Sequence, residues 1–389
     1  MLALSGPTAG LEWHAMNIVS VETRVVSLPF TMGGPPSLFA GQVWDHMEIL
    51  LVRVETADGF VGWGEAFGHA ANVSTRAALD SIVAPLVIGR DSSDIEGITR
   101  DVLPAVHLLG RNGPFVFAFS GIEIALWDIK GKRAGQPLHA LLGGGVSTDF
   151  ECYSSLLRYG DPALAARNTA DACARGYRFI KLHEVTREAV LAAAEAAGPQ
   201  ARIMLDVNCA WNPDQAAFMA AALRNDNLLW LEEPVWPPED CAGLAETRRF
   251  GIPIAAGENV AGRFGFKSLI DAGAIDIAQP SVTKIGGIGE MLAVIDLCRK
   301  SNVQLMPHCP YFGPGLIATL HIIAALAPQA LVEVLWLDME AHPFHDAVRP
   351  VNGRLKVPQA PGLGCEPDPA VLARYTKGEV TRTGNGGSL

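Results

Sequence analysis

Hydrophobic and polar positions follow two different patterns along the chain. Up to about Glu65 the pattern is typical of β-structure, and from about Thr75 to Gly135 apolar residues recur at helical spacing. The elements predicted here are strands over 19–27 and 48–56, a hairpin turn at Asp58-Gly59 and a helix over 118–131. The glycine run 143–145 then interrupts the pattern, so we predict an N-terminal α+β domain over 16–145.

From Phe150 onward, short apolar strands alternate with amphipathic or alanine-rich helices. The predicted strands lie at 150–156, 179–183, 202–207, 228–233, 253–258, 275–279, 303–307 and 331–335, and the clearest helices at 163–175, 214–224 and 288–300. Strands and helices that alternate in one continuous run predict a parallel barrel over 146–340. A doubly wound open sheet is the alternative, but the Gly-x-Gly-x-x-Gly motif that usually follows its first strand is absent.

Three neighbouring predicted strands end in a carboxylate. Asp206, Glu232 and Glu258 each close an apolar run, and they are equally spaced at one strand–helix unit apart. Because the carboxyl ends of barrel strands lie side by side, the three side chains are expected to meet at one face. Bare carboxylates would repel each other there, and a hard divalent cation such as Mg²⁺ would neutralise them. Solvated loop caps are the alternative for any one of them. The equal spacing favours a metal site, from which the adjacent Glu233 points away.

Other ionisable residues also stand at predicted strand ends. Lys181 and His183 lie two residues apart on one strand and so share a face. Near a cation in a desolvated pocket, the pKa of Lys181 can be lowered toward catalytic use. Taken alone, Lys-x-His is more typical of a snorkelled lysine and a hydrogen-bonded structural histidine. His308 and Glu333 belong to the seventh and eighth strands and are expected across the barrel from Lys181. A proton-transfer group on each side of a bound substrate suits removal of a proton, followed by its return or by loss of a leaving group.

Composition narrows the class of protein. With 49% hydrophobic and 18% charged residues, the chain is predicted to fold rather than to be disordered. A net charge of −11 argues against binding to nucleic acid or to an anionic membrane. Seven scattered cysteines without a Cys-x-x-Cys pair indicate reduced thiols in a cytoplasmic protein, and neither a signal peptide nor a membrane span is predicted. Both ends, 1–15 and 378–389, are expected to be flexible extensions.

Several segments resemble the enolase superfamily, and within it the mandelate racemase and acid-sugar dehydratase branch. Gly62-Trp63-Gly64-Glu65 resembles an early hairpin of the family, and residues 120–132 resemble its signature helix. The segments that resemble its barrel and its ending are, in order, Lys181, Asp206, Glu232, Glu258, Lys284-Ile285-Gly286-Gly287, His308, Glu333 and Pro361-Gly362-Leu363-Gly364. The resemblance covers nearly the whole chain.

The resemblance implies an α/β fold, a modified TIM barrel of the type (β/α)7β. Its α+β capping domain would be completed by a returning C-terminal segment, 341–377. It also implies one Mg²⁺ per subunit on Asp206, Glu232 and Glu258, a small carboxylate substrate and assembly as a homo-oligomer. The catalytic residues would be Lys181, His183, His308 and Glu333, and the substrate-binding residues Asn208, Ser281, Lys284, Trp44 and His46, the last two beside a closing loop that starts near Met32.

Three positions depart from the family pattern. The family's Lys-x-Lys is Lys181-Leu182-His183 here, so either His183 acts as the base in place of the second lysine or that base is lost. Ser281 stands where the branch has an aspartate, so His308 lacks a partner that would orient it and raise its pKa. Glu123 stands where the signature helix has an aspartate, which we expect to be a minor change.

These features predict Mg²⁺-dependent abstraction of a proton α to a carboxylate, in the dehydration (β-elimination) of a sugar acid. The first alternative is a lactone cycloisomerase, or a racemase or epimerase of a related hydroxy acid. A metal-independent barrel hydrolase with Glu232 and Glu258 as its acid–base pair is a second. A homologue that binds metal without catalysis is a third.

Overall fold

The structure is a computed structural model that describes residues 15–39, 41–144 and 147–384. The predicted domain boundary at 145–146, residues 1–14 of the predicted N-terminal extension and the final five residues lie outside this part of the chain. Among the described residues, no helix combines the length and the apolar character needed to cross a membrane.

The N-terminal region is an antiparallel sheet covered by helices. Its strands are β1 (Ile18–Thr31), β2 (Ser37–Phe39), β3 (Gln42–Trp44), β4 (His46–Thr56) and β5 (Val61–Ala66), and its helices α1 (Asn72–Ala78), α2 (Ala84–Val87), α3 (Ile95–Ala105), α4 (Pro114–Ala134) and α5 (Leu138–Leu141). β1, β4 and β5 pair in that order, while β2 and β3 form a separate hairpin. The two glycines of β5, Gly62 and Gly64, lie where a side chain would collide with α4. A Cβ on Gly62 or Gly64 would lie only 2.1 Å or 1.8 Å from a carbonyl oxygen of α4. These glycines therefore let the long helix pack directly on the sheet.

The barrel follows with seven strand–helix units and a final strand. Its strands are β6 (Asp149–Ser155), β7 (Phe179–Leu182), β8 (Arg202–Asp206), β9 (Leu231–Glu232), β10 (Ile254–Ala256), β11 (Ile277–Ala278), β12 (Gln304–Leu305) and β13 (Val332–Leu335). The helices between them are α6 (Pro162–Ala174), α7 (Arg187–Ala197), α8 (Pro213–Leu223), α9 (Cys241–Arg248), α10 (Gly262–Asp271), α11 (Ile288–Ser301) and α12 (Pro314–Leu326). Neighbouring strands pair in parallel from β6 to β12 in chain order, and β13 returns to pair with β6. The (β/α)7β prediction is confirmed, and the doubly wound alternative is wrong because the strand order never reverses direction.

The C-terminal segment adds elements to both halves. These are β14 (Asp338–Met339), β15 (Arg354–Lys356), α13 (Pro369–Tyr375) and β16 (Thr376–Gly384). β14 and β16 pair with β1 of the capping sheet, whereas β15 pairs with β6 of the barrel.

The prediction of a flexible extension after Lys377 is wrong as far as Gly384. Residues 376–384 form β16, an edge strand whose backbone groups pair with β1. Lys377 and Arg382 also reach carboxylates of β4, at 2.6 Å to Glu48 and 3.2 Å to Glu55. Because most of this strand is exposed, its polar and glycine-rich sequence carries no hydrophobic alternation to reveal it.

Two buried carboxylates join the capping domain to barrel helices. From α4, Glu123 accepts backbone N–H bonds from Ile288 (2.7 Å) and Gly289 (2.9 Å) at the start of α11. From β5, Glu65 accepts one from Gly315 (2.9 Å) at the start of α12, and burial raises the pKa of Glu65 to about 8. Because α11 and α12 directly follow the ends of strands six and seven, these contacts help to fix that side of the barrel mouth.

Candidate active site

The three predicted metal ligands meet at the ends of β8, β9 and β10. Asp206 and Glu232 are register partners on adjacent strands, and Glu258 follows β10 by two residues. Each offers one carboxylate oxygen, and these oxygens all lie within 4.8 Å of one another. In the part of the chain that the structure describes, this is the one such group of three or more possible ligands. Oxygen donors at this spacing suit a hard divalent cation, so the residues present fit Mg²⁺.

The electrostatics of this cluster also favour a cation. Burial, reinforced by the charge of Asp206, raises the pKa of Glu232 well above its ordinary value. The pKa of Asp206 is lowered despite burial because Lys181 and His183 are close, and that of Glu258 is lowered because His308 and Lys284 are close. Three acidic groups thus share a small buried volume in which positive charge is needed to keep them all ionised.

Lys181 lies among carboxylates. Its Nζ is 3.1 Å from Asp206, 2.9 Å from Glu232 and 2.8 Å from Glu333, and its side chain is buried. Two opposing effects act on the pKa of Lys181 among these carboxylates. Burial alone would lower it, but the attraction of Glu232, Glu333 and Asp206 outweighs that effect and raises the pKa of Lys181 well above its usual range. Lys181 is therefore a fixed cation in this arrangement, suited to hold negative charge.

His183 shares the lumen-facing side of its strand with Lys181, as period two predicts. Its Nδ1 donates to the carbonyl oxygen of Leu156, which leaves Nε2 facing Asp206 Oδ2 at 3.2 Å. The ring lines the cavity, and its Nε2 lies against Asp206, a predicted metal ligand. His183 is thus placed to orient the carboxylate of Asp206.

Glu333 does not lie across the barrel from Lys181. It contacts Lys181 directly, because β13 pairs with β6 and β6 pairs with β7. Glu333 also accepts a hydrogen bond from the Ser155 hydroxyl (2.9 Å) and one from the backbone N–H of Cys309 (3.3 Å). The last contact links the end of β12 to β13, where backbone pairing between strands is interrupted.

His308 is the group on the opposite side of the carboxylate cluster. Its Nε2 is 3.0 Å from Glu258 Oε2, and its ring lies edge-on to Tyr311 with 6.0 Å between centroids. Among the described residues, its buried Nδ1 has no hydrogen-bond partner. The hydroxyl of Ser281 is bonded to the Tyr311 hydroxyl instead. Ser281, which stands where the resemblance implies an aspartate, therefore gives the Nδ1 of His308 no carboxylate partner.

A cavity of about 870 Å³ opens over these groups, between the barrel mouth and the capping domain. The lining includes all four predicted catalytic residues, Lys181, His183, His308 and Glu333. It also includes three predicted substrate-binding residues, Asn208, Lys284 and Trp44, and the predicted metal ligand Glu258. The Nζ of Lys284 is 2.7 Å from Asn259 Oδ1 and 3.8 Å from Glu258. The closing loop contributes residues 35–39 to the lining. Gly33, at the start of this loop, has no room for a side chain, because a Cβ there would lie 1.8 Å from Asn168.

Two of the predicted substrate contacts are not found at the cavity. His46 begins β4 with an exposed side chain, and its Nδ1 faces the neighbouring Asp45 at 2.7 Å. Ser281 is fully buried against Tyr311 and does not line the cavity.

The sequence interpretation missed several cavity residues. The ring of His69 packs against that of Phe67, with 4.9 Å between the two centroids. Burial, aided by the charge of Lys284, lowers the pKa of His69 to about 4. Its backbone φ of +41° places it in the left-handed region, which non-glycine residues seldom adopt. Arg158 follows β6 and lines the cavity as well. None of these positions belongs to a periodic pattern, so only their place directly after β5 and β6 could have drawn attention to them.

Comparison with known families and relatives agrees with this geometry. Residues 20–143 match the model of the mandelate racemase / muconate lactonizing enzyme N-terminal domain, and residues 164–371 match the enolase C-terminal domain-like model. The chain is 31% identical to a D-galactarolactone cycloisomerase of Agrobacterium fabrum, over 92% of this chain and 99% of that one. It is 30% identical to an arabinonate dehydratase of Saccharolobus solfataricus, over 85% and 91% of the two chains.

Solved structures give the same result. A 3,6-anhydro-D-galactonate cycloisomerase from Zobellia galactanivorans superposes with a TM-score of 0.82 at 28% identity, covering 93% of this chain and all of that one. A racemase from Streptomyces coelicolor with bound magnesium superposes with a TM-score of 0.81 at 28% identity, covering 92% and 100%. The magnesium-bound neighbour and the cluster of Asp206, Glu232 and Glu258 together fit Mg²⁺ as the cofactor. The protein is an enzyme of the enolase superfamily, in its mandelate racemase and muconate lactonizing enzyme family.

Proposed function

We propose that this protein removes the proton α to the carboxylate of a sugar acid and then eliminates the β-hydroxyl group as water. One observation carries the proposal. A buried carboxylate triad for Mg²⁺ has the cation Lys181 on one side and the imidazole of His308 on the other, and both groups face the same cavity.

The chemistry requires concentrated positive charge. A proton α to a carboxylate is weakly acidic because its removal adds a second negative charge to the same group. When bound, Mg²⁺ supplies charge at the substrate carboxylate. Lys181 adds a buried positive charge beside the metal ligands, and Lys284 adds another near Glu258. Both lysine side chains are buried, and buried charges interact more strongly than charges in water.

His308 is proposed as the group that moves the proton. The imidazole of His308 accepts the α-proton through a ring nitrogen that carries no hydrogen, and the electron pair of the C–H bond passes toward the carboxylate. That pair then forms the double bond between Cα and Cβ as the C–O bond to the β-hydroxyl breaks. The protonated His308 returns its proton to the departing hydroxyl, which leaves as water, so one residue serves as base and then as acid.

Opening of a lactone ring is the second candidate. It uses the same proton removal and differs only in the leaving group, which is the ring oxygen of the ester rather than a hydroxyl. The relatives named as cycloisomerases, one of them 31% identical over nearly the full length, favour this candidate over racemisation. Racemisation needs a base on each side, and Lys181 is held as a cation by three carboxylates.

We also propose that the protein acts in the cytoplasm as a homo-oligomer. Seven free cysteines, three of them buried, support a reducing compartment. The size-exclusion volume of the purified protein, compared with that of a 41.3 kDa monomer, measures the assembly state.

Analysis of the product tests the proposal. We expect the purified protein with Mg²⁺ to convert at least one sugar acid into a 2-keto-3-deoxy acid, seen as loss of one water by mass spectrometry and as a new methylene signal by ¹H NMR. EDTA should stop the conversion, and added Mg²⁺ should restore it. Conversion of a lactone to an isomer of unchanged mass would favour the second candidate, and conversion that survives EDTA would contradict both.

A further inference from the structure

One cation at the cavity lacks an acidic partner. Lys181 contacts three carboxylates, and Lys284 lies 3.8 Å from Glu258. Arg158 lines the same cavity but forms no ion pair with any described residue. The positive charges nearest the metal site are therefore matched by protein carboxylates, whereas that of Arg158 is not.

The guanidinium of Arg158 is held by main-chain oxygens. Its Nε donates to the carbonyl oxygen of His183 at 2.6 Å, and its Nη2 donates to that of Val207 at 3.0 Å. These carbonyls directly follow β7 and β8, the strands that carry Lys181 and Asp206. A guanidinium has five N–H groups, so three remain for a ligand. The group is thereby fixed at the mouth of the barrel, over the loops that follow β7 and β8.

The loop that carries Arg158 is fixed as well. The backbone N–H groups of Tyr159 (2.8 Å) and Gly160 (3.1 Å) donate to Glu184, a carboxylate that is itself buried. The Tyr159 hydroxyl donates to the carbonyl oxygen of Met32 (2.8 Å), at the start of the closing loop. Arg158 is therefore presented by a loop anchored to both the barrel and the capping domain, which lowers the entropy lost when a ligand binds.

We propose that Arg158 forms a second anion-binding subsite, which selects substrates with a carboxylate at the end distant from the reacting carbon. This inference rests on the proposed function, because it takes the first carboxylate to be the one that is enolised at the metal site. Charge and shape both support a carboxylate as the ligand. The guanidinium forms no ion pair with an acidic residue of the described chain, and its remaining N–H groups form the planar fork that binds a carboxylate through two hydrogen bonds. The substrate class is then a hexarate or another dicarboxylic sugar acid, rather than a monocarboxylic hexonate.

Matched pairs of acids test the subsite. Galactarate and galactonate, with further hexarate–hexonate pairs of equal configuration, are incubated with the protein and Mg²⁺, and kcat and KM are measured for each. We expect a hexarate to be preferred. Arg158→Met should lower kcat/KM for that hexarate by about 10- to 100-fold, the loss expected of a charged hydrogen-bonded contact, mainly through KM. The same variant should leave the values for the hexonate nearly unchanged.

The controls separate charge from folding. Arg224→Met removes an exposed arginine that does not line the cavity and should behave as the wild type. Arg158→Lys keeps the charge without the planar fork and should fall between the wild type and Arg158→Met. A preference for hexonates, or a hexarate preference that persists in Arg158→Met, would overturn the subsite while leaving the proposed function intact. Turnover of neither class would overturn the proposed function and the subsite with it.

Discussion

Replacing Glu232 by Gln is expected to weaken Mg²⁺ binding by about 100-fold or more, since even the loss of an outer-shell partner costs about 10- to 100-fold. Catalysis should fall with it. Glu232 lies on the strand between those of the other two ligands, and its Oε2 already accepts a hydrogen bond from the Trp230 indole at 2.9 Å. Gln keeps the shape but offers a neutral oxygen, so both the charge and the ligand strength decrease. Isothermal titration calorimetry with MgCl₂ measures the affinity directly.

The neighbouring residue provides a matched control. Glu233 is buried one position further along, outside the ligand cluster, with its carboxylate 3.5 Å from Cys209 Sγ. Burial and the nearby Glu258 raise the pKa of Glu233 to about 8, and its side chain offers no oxygen to the ligand cluster. We therefore expect Glu233→Gln to bind Mg²⁺ nearly as the wild type does. Equal affinities of Glu232→Gln and the wild type would contradict the ligand assignment.

Replacing His308 by Asn is expected to reduce removal of the α-proton by roughly 10²- to 10⁴-fold, the usual contribution of a general base. Asn retains a polar side chain but cannot accept the proton. Because His308 approaches the cluster only through Glu258, Mg²⁺ affinity should fall far less than in Glu232→Gln. The rate is read as loss of the α-proton signal in D₂O by ¹H NMR, at saturating Mg²⁺.

Two further histidine variants make this result specific. His107→Asn changes an exposed residue bonded to the Pro104 carbonyl, so it should exchange the α-proton at the wild-type rate. His183→Asn reports on the other face of the substrate. If His308→Asn exchanged at the wild-type rate while His183→Asn did not, the base would lie on the side of Lys181 and His183.

The metal site was predictable because barrel geometry converts spacing along the chain into proximity. Each strand–helix unit returns the chain to the same face, so carboxylates at equal intervals on 206, 232 and 258 had to meet. The buried barrel strands were also predictable, because each is a continuous apolar run in the sequence. The alternation of side chains within one strand also predicted correctly that Lys181 and His183 share a face.

Features that depend on closure between distant segments were not predictable. The contact of Glu333 with Lys181 follows from pairing of the last barrel strand with the first, and the raised pKa of Lys181 follows from that contact. The direction of His46 depends on where β4 begins. Arg158 reaches the cavity through a loop whose path is set by hydrogen bonds to Glu184 and Met32, and none of them has a sequence period.

The central claim is metal-dependent removal of an α-proton, and solvent-deuterium exchange measures it most directly. The wild-type protein is incubated in D₂O with Mg²⁺ and a panel of hexarates, hexonates and their lactones, and the α-proton signals are followed by ¹H NMR. We expect at least one compound to lose its α-proton signal or to form product, EDTA to stop this, and Mg²⁺ to restore it. Exchange or product formation unaffected by EDTA would contradict the account, and so would silence across the panel in a protein shown by calorimetry to bind Mg²⁺.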